Sequence, residues 1–174
     1  MLQPCSLIHV YDNSGVNLVK CFKNLTYQNN KTYPFLIKVY SDYEESQEMH
    51  EFELSKQDFI EIVKAINSYV YRRYIVGIPT NSLNKTFAVL YNSVDKTNYK
   101  VSILASLILL DSYKEFPDDE EFKNAFKYKD LYNSRLKNYT LEKLENAEHL
   151  NGIIIGGKDI SIEHVLPETG ELKK

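Results

Sequence analysis

Cysteine is nearly absent from this chain: Cys5 and Cys21 are the only two. Two cysteines far apart in sequence cannot build a disulfide framework. With no histidine cluster near either, they exclude a zinc finger and point to a reducing, cytosolic home. Neither has an adjacent general base, which argues against a thiol enzyme. Glycine and proline are scarce too, six and five in 174 residues. Neither is common inside the periodic segments, which favours helices over a turn-rich all-β fold. Long apolar runs are missing. The most apolar, Val101 to Leu110, covers ten residues, whereas a membrane span needs roughly 20. No basic region leads into an apolar stretch and a cleavage site at the N-terminus, so no secretory signal is expected. Positive charge is not in excess: 21 basic against 24 acidic side chains leave a net charge of −3. Any nucleic-acid surface must therefore be a local patch.

What is present is an ordinary soluble composition, 43% hydrophobic and 26% charged. That excludes a disordered chain. A chain of this size buries about 70% of its unfolded surface on folding. The patterning predicts a mainly α fold. Between Pro4 and Leu25, the residues Leu18, Cys21, Phe22 and Leu25 are spaced at three and four. Pro34 stands where a first helical residue is favoured, and Phe35, Leu36, Val39 and Tyr40 follow at helical spacing. The acidic stretch Asp42 to Glu53 reads as a solvated loop. Ser55, with Asp58 three residues on, imitates a capping box. It opens a helix whose stripe Phe59, Ile60, Val63, Ile66, Val70 and Tyr74 runs to about Ile75, where Gly77 and Pro79 stop it.

Thr80 or Asn81 is expected to cap the next helix, with Leu83, Phe87, Leu90 and Tyr91 on one face. Residues 99–112 are apolar almost all round, which predicts a central, buried helix. Pro117 and Asp118 begin another, with Phe122 and Phe126 four apart. A last long helix is predicted from about Tyr132 to Leu150, with Leu136, Leu141 and Leu144 inward. After Gly152 the character changes. Ile153 to Ile155, then Gly156-Gly157-Lys158-Asp159, then Ile160 to Val165 read as strand, turn and strand. The expected architecture is an irregular multi-helix bundle over residues 1–152, followed by a short C-terminal β-hairpin within 153–174.

Three groups of residues carry candidate chemistry. The sharpest is Ser161-Ile162-Glu163-His164-Val165-Leu166-Pro167-Glu168. A Glu-His pair at a strand end, followed by proline, is how a ββα-metal nuclease begins. Such an enzyme needs a neutral imidazole to take a proton from water and hard oxygen ligands for a divalent ion on the phosphate. Adjacent strand residues point to opposite faces, so both reach one pocket only if the strand bends or ends there. The alternative is a surface histidine in a C-terminal tail.

The second group is Arg72 and Arg73, in Tyr71-Arg72-Arg73-Tyr74. Two cations at a helix C-terminus suit its negative dipole end, and guanidinium groups also bind phosphate. Residue physics alone favours the structural role. The third is a basic run: Lys123, Lys127, Lys129, Arg135, Lys137 and Lys143 outnumber Asp130 and Glu142, with Tyr128, Tyr132 and Tyr139 between them. Such a run suits a nucleic-acid backbone, although a solvated helix face is the commoner outcome. Two tempting motifs fail. His50-Glu51-Phe52-Glu53-Leu54 lacks the second histidine of a zinc-protease helix, and Gly156-Gly157-Lys158-Asp159 lacks the residues of a phosphate loop.

Three stretches, in order, resemble one family. Tyr69 to Tyr91, YVYRRYIVGIPTNSLNKTFAVLY, is similar to the arginine-pair, Pro-Thr-Asn and Leu-Asn-Lys segment of GmrSD-type modification-dependent restriction proteins. Phe116 to His149 resembles the FPxDxxF and Leu-Glu-rich helices that follow it there. Asp159 to Thr169, DISIEHVLPET, resembles the opening of their C-terminal HNH (His-Me finger) nuclease domain.

The resemblance implies an endonuclease of phage defence that cuts foreign DNA, typically with modified cytosines. It implies His164 as general base and Glu163 as ligand of a divalent metal, Mg²⁺. It also implies further parts: an N-terminal ParB/sulfiredoxin-like nucleotide-hydrolysing domain and the remainder of the nuclease. The chain departs from the family in ending at Lys174, ten residues after His164, before the family's Gly-Asn-Leu segment and final helix. Glu168 also stands where the family usually has glutamine. The expectation is a helical positioning domain over residues 1–152, with 153–174 the start of the nuclease domain. It would contact DNA through Arg72, Arg73, Lys127, Lys129, Arg135 and Lys137, hold no metal of its own and be inactive alone. The alternative is a non-catalytic helical binding or interaction module.

Overall fold

The computed structural model of the protein describes residues 30–49 and 52–148. The patterned segment 4–25, the expected hairpin and the pair Glu163 and His164 lie outside them. Among the described residues the fold is mainly α, with six helices joined by turns and short 3₁₀ segments and no strand. They are α1 (Tyr33–Met49), α2 (Lys56–Val76), α3 (Leu83–Asn92), α4 (Tyr99–Ile108), α5 (Asp119–Tyr128) and α6 (Lys137–Glu148). The described residues fall into two compact units, divided after Lys129. Helices α1 to α5 belong to the first and α6 to the second.

In the first unit α2 is the central element. It packs against α1, α4 and α5, while α3 packs against α1 and α4. Its ends follow local chemistry. Ser55 Oγ accepts from the Asp58 amide at 3.1 Å and donates to Asp58 Oδ2 at 2.6 Å, which satisfies one of the unpaired amides of the first turn. At the other end Gly77 adopts φ +91°, and the amides of Gly77 and Ile78 both return to Arg73 O, at 3.0 and 2.9 Å. This left-handed C-terminal stop favours glycine because any Cβ is strained there. Between its ends α2 buries ten residues, Ile62, Asn67, Tyr69, Arg73 and Ile75 as well as the expected stripe positions Phe59 to Val70.

Helix α4 is not the central helix that its composition suggested. It buries Tyr99, Ile103 and Leu107 and leaves Val101 62%, Ile108 73% and Leu109, just past its end, 79% exposed. Composition measures how apolar a helix is; the number of helices around it decides how much of it is covered, and among the described residues α4 packs against α2 and α3.

The acidic stretch is also corrected. Asp42 to Met49 is not a loop but the second half of α1. Its inward positions, Val39, Asp42 and Ser46, keep helical spacing and are buried. Two of the three are polar, so the stretch had no apolar stripe to reveal it. Ser46 Oγ donates to Tyr43 O at 2.7 Å and to Leu54 O at 3.3 Å.

Helix α3 buries Leu83, Phe87 and Leu90 as expected, but neither Thr80 nor Asn81 caps it. A 3₁₀ turn, Thr80–Ser82, leads in without a side-chain cap bond. Helix α5 is capped by Asp118, which accepts from the Glu121 amide at 2.8 Å, and carries Asp119, Glu120 and Glu121 in its first turn, where the dipole favours acids.

In the second unit α6 starts at Lys137, later than Tyr132. Asp130 accepts from Asn133 through both the main chain, at 3.1 Å, and the side chain, at 2.8 Å. Such local bonds compete with helix formation. Leu136 is buried, Leu141 is half-buried and Leu144 is 50% exposed. Among the described residues no helix is long and apolar enough to cross a membrane.

Candidate functional site

Arg72 and Arg73 are adjacent on the last turns of α2, about 100° apart around its axis, and so face different surroundings. Arg73 points inward and is 1% exposed. Its Nη1 donates to Tyr113 O at 2.8 Å and Glu115 O at 3.4 Å; its Nη2 donates to Pro79 O at 3.1 Å and Ser82 Oγ at 3.2 Å. The guanidinium lies 5.3 Å from the centre of the Tyr69 ring. A guanidinium has five N–H groups; the fifth, on Nε, is buried without a partner.

Arg72 takes the neighbouring stretch. Its Nη1 donates to Pro117 O at 3.1 Å and its Nη2 to Asp119 Oδ1 at 2.5 Å, and the group lies 5.1 Å from the Phe122 ring centre and 5.8 Å from that of Phe116. Arg72 holds the exposed Asp119 carboxyl below the usual carboxylate range. One turn back, Tyr69 O–H donates to Lys114 O at 2.6 Å, and its ring meets Phe116 at 5.4 Å; burial pushes the Tyr69 hydroxyl up.

Four of the five carbonyls from Tyr113 to Pro117 therefore point at donors on α2. The segment needs them. It contains only a short 3₁₀ turn, Ser112–Lys114, with Ser112 at φ +55°, and has no ladder to use its carbonyls. Charge-assisted bonds of this kind contribute about 1.5–3 kcal/mol each. The arginine pair, the Pro79–Ser82 turn and the Phe116–Phe122 segment, separate patches in the sequence, form one assembly at the C-terminal end of α2.

Lys129 joins it: Nζ donates to Tyr74 O at 3.1 Å and lies 4.8 Å from that ring's centre. A lysine on a last-turn carbonyl is a C-terminal cap. Lys127 is exposed on α5, 5.4 Å from the Tyr128 ring centre. Arg135 and Lys137 belong to the second unit, where Arg135 is exposed and Lys137 lies 5.4 Å from the Tyr132 ring centre. Arg72, Arg73 and Lys129 thus lie together, and all three hold main-chain carbonyls. Arg73, enclosed by those acceptors, offers no open face to a phosphate. Among the described residues no three His, Cys, Asp or Glu side chains converge as a metal site.

A second polar cluster has no counterpart in the sequence reading. Buried Asp42 accepts on Oδ2 from Tyr99 O–H at 2.5 Å and Tyr91 O–H at 3.1 Å. Lys96 Nζ lies 3.8 Å from Oδ1 and 3.1 Å from Glu45 Oε2. Burial, and then the Asp42 carboxylate, push both tyrosine hydroxyls up from their ordinary value. The cluster ties α1, α3 and α4 together. The one signal for it is the position of Asp42, three residues after Val39 on the covered face of α1.

No family model, curated protein or solved structure matches this chain.

Proposed function

We propose that this chain is the helical part of a GmrSD-type, modification-dependent DNA restriction endonuclease, continued by the opening β-hairpin of its HNH nuclease domain in residues 153–174. The supporting observation is the assembly at the end of α2. The first two stretches that resemble the family are joined by Arg72 of one, which donates to Pro117 O and Asp119 Oδ1 of the other. A shared motif that builds one structural joint is a coherent unit of fold. In this reading the arginines position the connection before α5, and the exposed Lys127 of the first unit is a cation offered to a DNA backbone. His164 is the general base and Glu163 a ligand of Mg²⁺, in a site completed by residues outside this chain. The protein is cytoplasmic, and the piece is inactive alone.

The test is to extend the gene past Lys174 to its natural stop and assay cleavage of plasmid and modified phage DNA with Mg²⁺. Cleavage by the wild type and none by His164→Ala is expected. A dispensable His164 overturns the assignment. A second reading, a non-catalytic interaction module, draws on the exposed Val101, Ile108 and Leu109, because contiguous apolar surface of this kind marks contact sites. It predicts an extended protein that never cuts.

A further inference from the structure

A surface helix turns charged or polar residues away from the core, as α5 does with the exposed Glu120, Lys123 and Asn124. Helix α4 does not. Its outward positions are Val101, Leu104, Ala105 and Ile108, which fall within about 100° of arc around the axis. Val101 is 62% and Ile108 73% exposed; Ala105 is exposed and Leu104 half-buried. Leu109 continues the apolar surface past the helix end, 79% exposed.

The polar side chains of α4 are engaged within their own unit. Lys100 Nζ lies 2.5 Å from Asp58 Oδ1 and 3.0 Å from Glu61 Oε2. Ser102 Oγ accepts from the Asp95 amide at 3.0 Å and donates to Tyr99 O at 2.9 Å. Ser106 Oγ accepts from the Ser93 hydroxyl at 2.9 Å. The outward stripe therefore holds no charge and no side-chain hydrogen-bonding group. Covering it takes apolar surface out of water and leaves no polar side chain of the stripe unpaired.

The spacing of the stripe says what fits it. Val101, Leu104, Ala105 and Ile108 are separated by three, one and three positions, so the pattern is the same in both directions. Laid antiparallel on itself about a two-fold axis between Leu104 and Ala105, it sets Val101 opposite Ile108 and Leu104 opposite Ala105, each contact occurring twice as two-fold symmetry requires. A small residue opposite a large one lets the two axes approach to about 8–10 Å. No ionisable group on the face repels its copy, and a net charge of −3 adds little repulsion at longer range. We infer that the outer face of α4 is a homodimer interface, packed antiparallel on the same face of a second copy of this chain. The pairing depends on neither reading above, because it belongs to α4 whether or not the extended chain cuts DNA.

The test is sedimentation equilibrium of the full chain from micromolar to sub-millimolar concentration. Reversible association from 20.3 kDa to twice that mass is expected. The variants are Val101→Lys and Ile108→Glu, both at exposed positions and each checked for folding by circular dichroism. Each alone places an unpaired charge against an apolar partner and is expected to weaken association about tenfold or more. An equimolar mixture of the two sets lysine opposite glutamate at one end and keeps Ile108 opposite Val101 at the other, so it should associate again, as a dimer of one variant with the other. A wild-type chain that stays monomeric leaves the face to a partner of different sequence and overturns the proposal. So does a dimer that tolerates either variant, which must use another surface, or a mixture that stays monomeric when both variants have dissociated.

Discussion

Arg73 and Asp42 are the two charged side chains buried among the described residues, and the fold satisfies them in opposite ways. The cation meets three main-chain carbonyls and a hydroxyl, with no carboxylate. The anion meets two tyrosine hydroxyls, with a lysine at 3.8 Å. A buried charge must be compensated in either case. The consequences differ because the partners differ. Main-chain partners make Arg73 a template for the conformation of two connecting segments. Side-chain partners make Asp42 a cross-link among three helices.

The sharpest way to break this comparison is to remove the template. Arg73→Met strands several carbonyls at once and is expected to cost about 3 kcal/mol in urea unfolding of the full chain. Arg73→Lys should recover little, because an ammonium cannot span the fork that reaches both segments. Wild-type stability in Arg73→Lys would mean that charge alone, and not geometry, holds the connection.

The Asp42 cluster should respond more mildly and with a pH signature. Asp42→Ala is expected to cost about 2 kcal/mol and Tyr99→Phe about 1 kcal/mol, with the double variant well short of their sum. The folded state keeps Tyr99 and Tyr91 protonated where the unfolded chain releases protons. Their contribution is therefore fully present below the unfolded tyrosine value of about 10 and is lost as pH rises above it. A melting-temperature profile across the alkaline range should fall, and fall less in Tyr99→Phe. Equal slopes would remove Tyr99 from the effect.

The smallest effect belongs to the exposed pair, Arg72 with Asp119. Folding depresses the Asp119 carboxyl, so its contribution is present at neutral pH and is lost as pH falls through the acid range. Asp119→Asn should lower the melting temperature slightly at neutral pH and not at all at low pH. An effect as large as that of Arg73→Met would show that the exposed half of the pair carries the joint.

The ends of α2 and the start of α5 were legible in the sequence because their signals are local, whereas the expected cap of α3 and the start of α6 were not. Ser55 with Asp58 and Gly77 act within a few residues and capped and stopped α2 as read, and α5 begins at the expected Pro117-Asp118 start, with Asp118 as its cap. The second half of α1 was not legible, because Asp42 and Ser46 are polar residues on a covered face. Nor was the position of α4, because periodicity describes one helix and not its neighbours. Of the candidate site, the structural preference for the arginine pair was legible. That Arg73 reaches Tyr113, forty residues away, was not.

The sequence by itself determined the helical class, the cap and stop of α2, and the absence of a charge excess or a membrane-length run, since propensity, capping and composition act over a few residues or over the whole. The tertiary structure decided which helix is central, which apolar residues stay exposed, which acid is buried between tyrosines and which cations hold carbonyls. Those depend on groups brought together from distant positions, and hydrogen bonding and burial are set by what stands opposite a side chain in space.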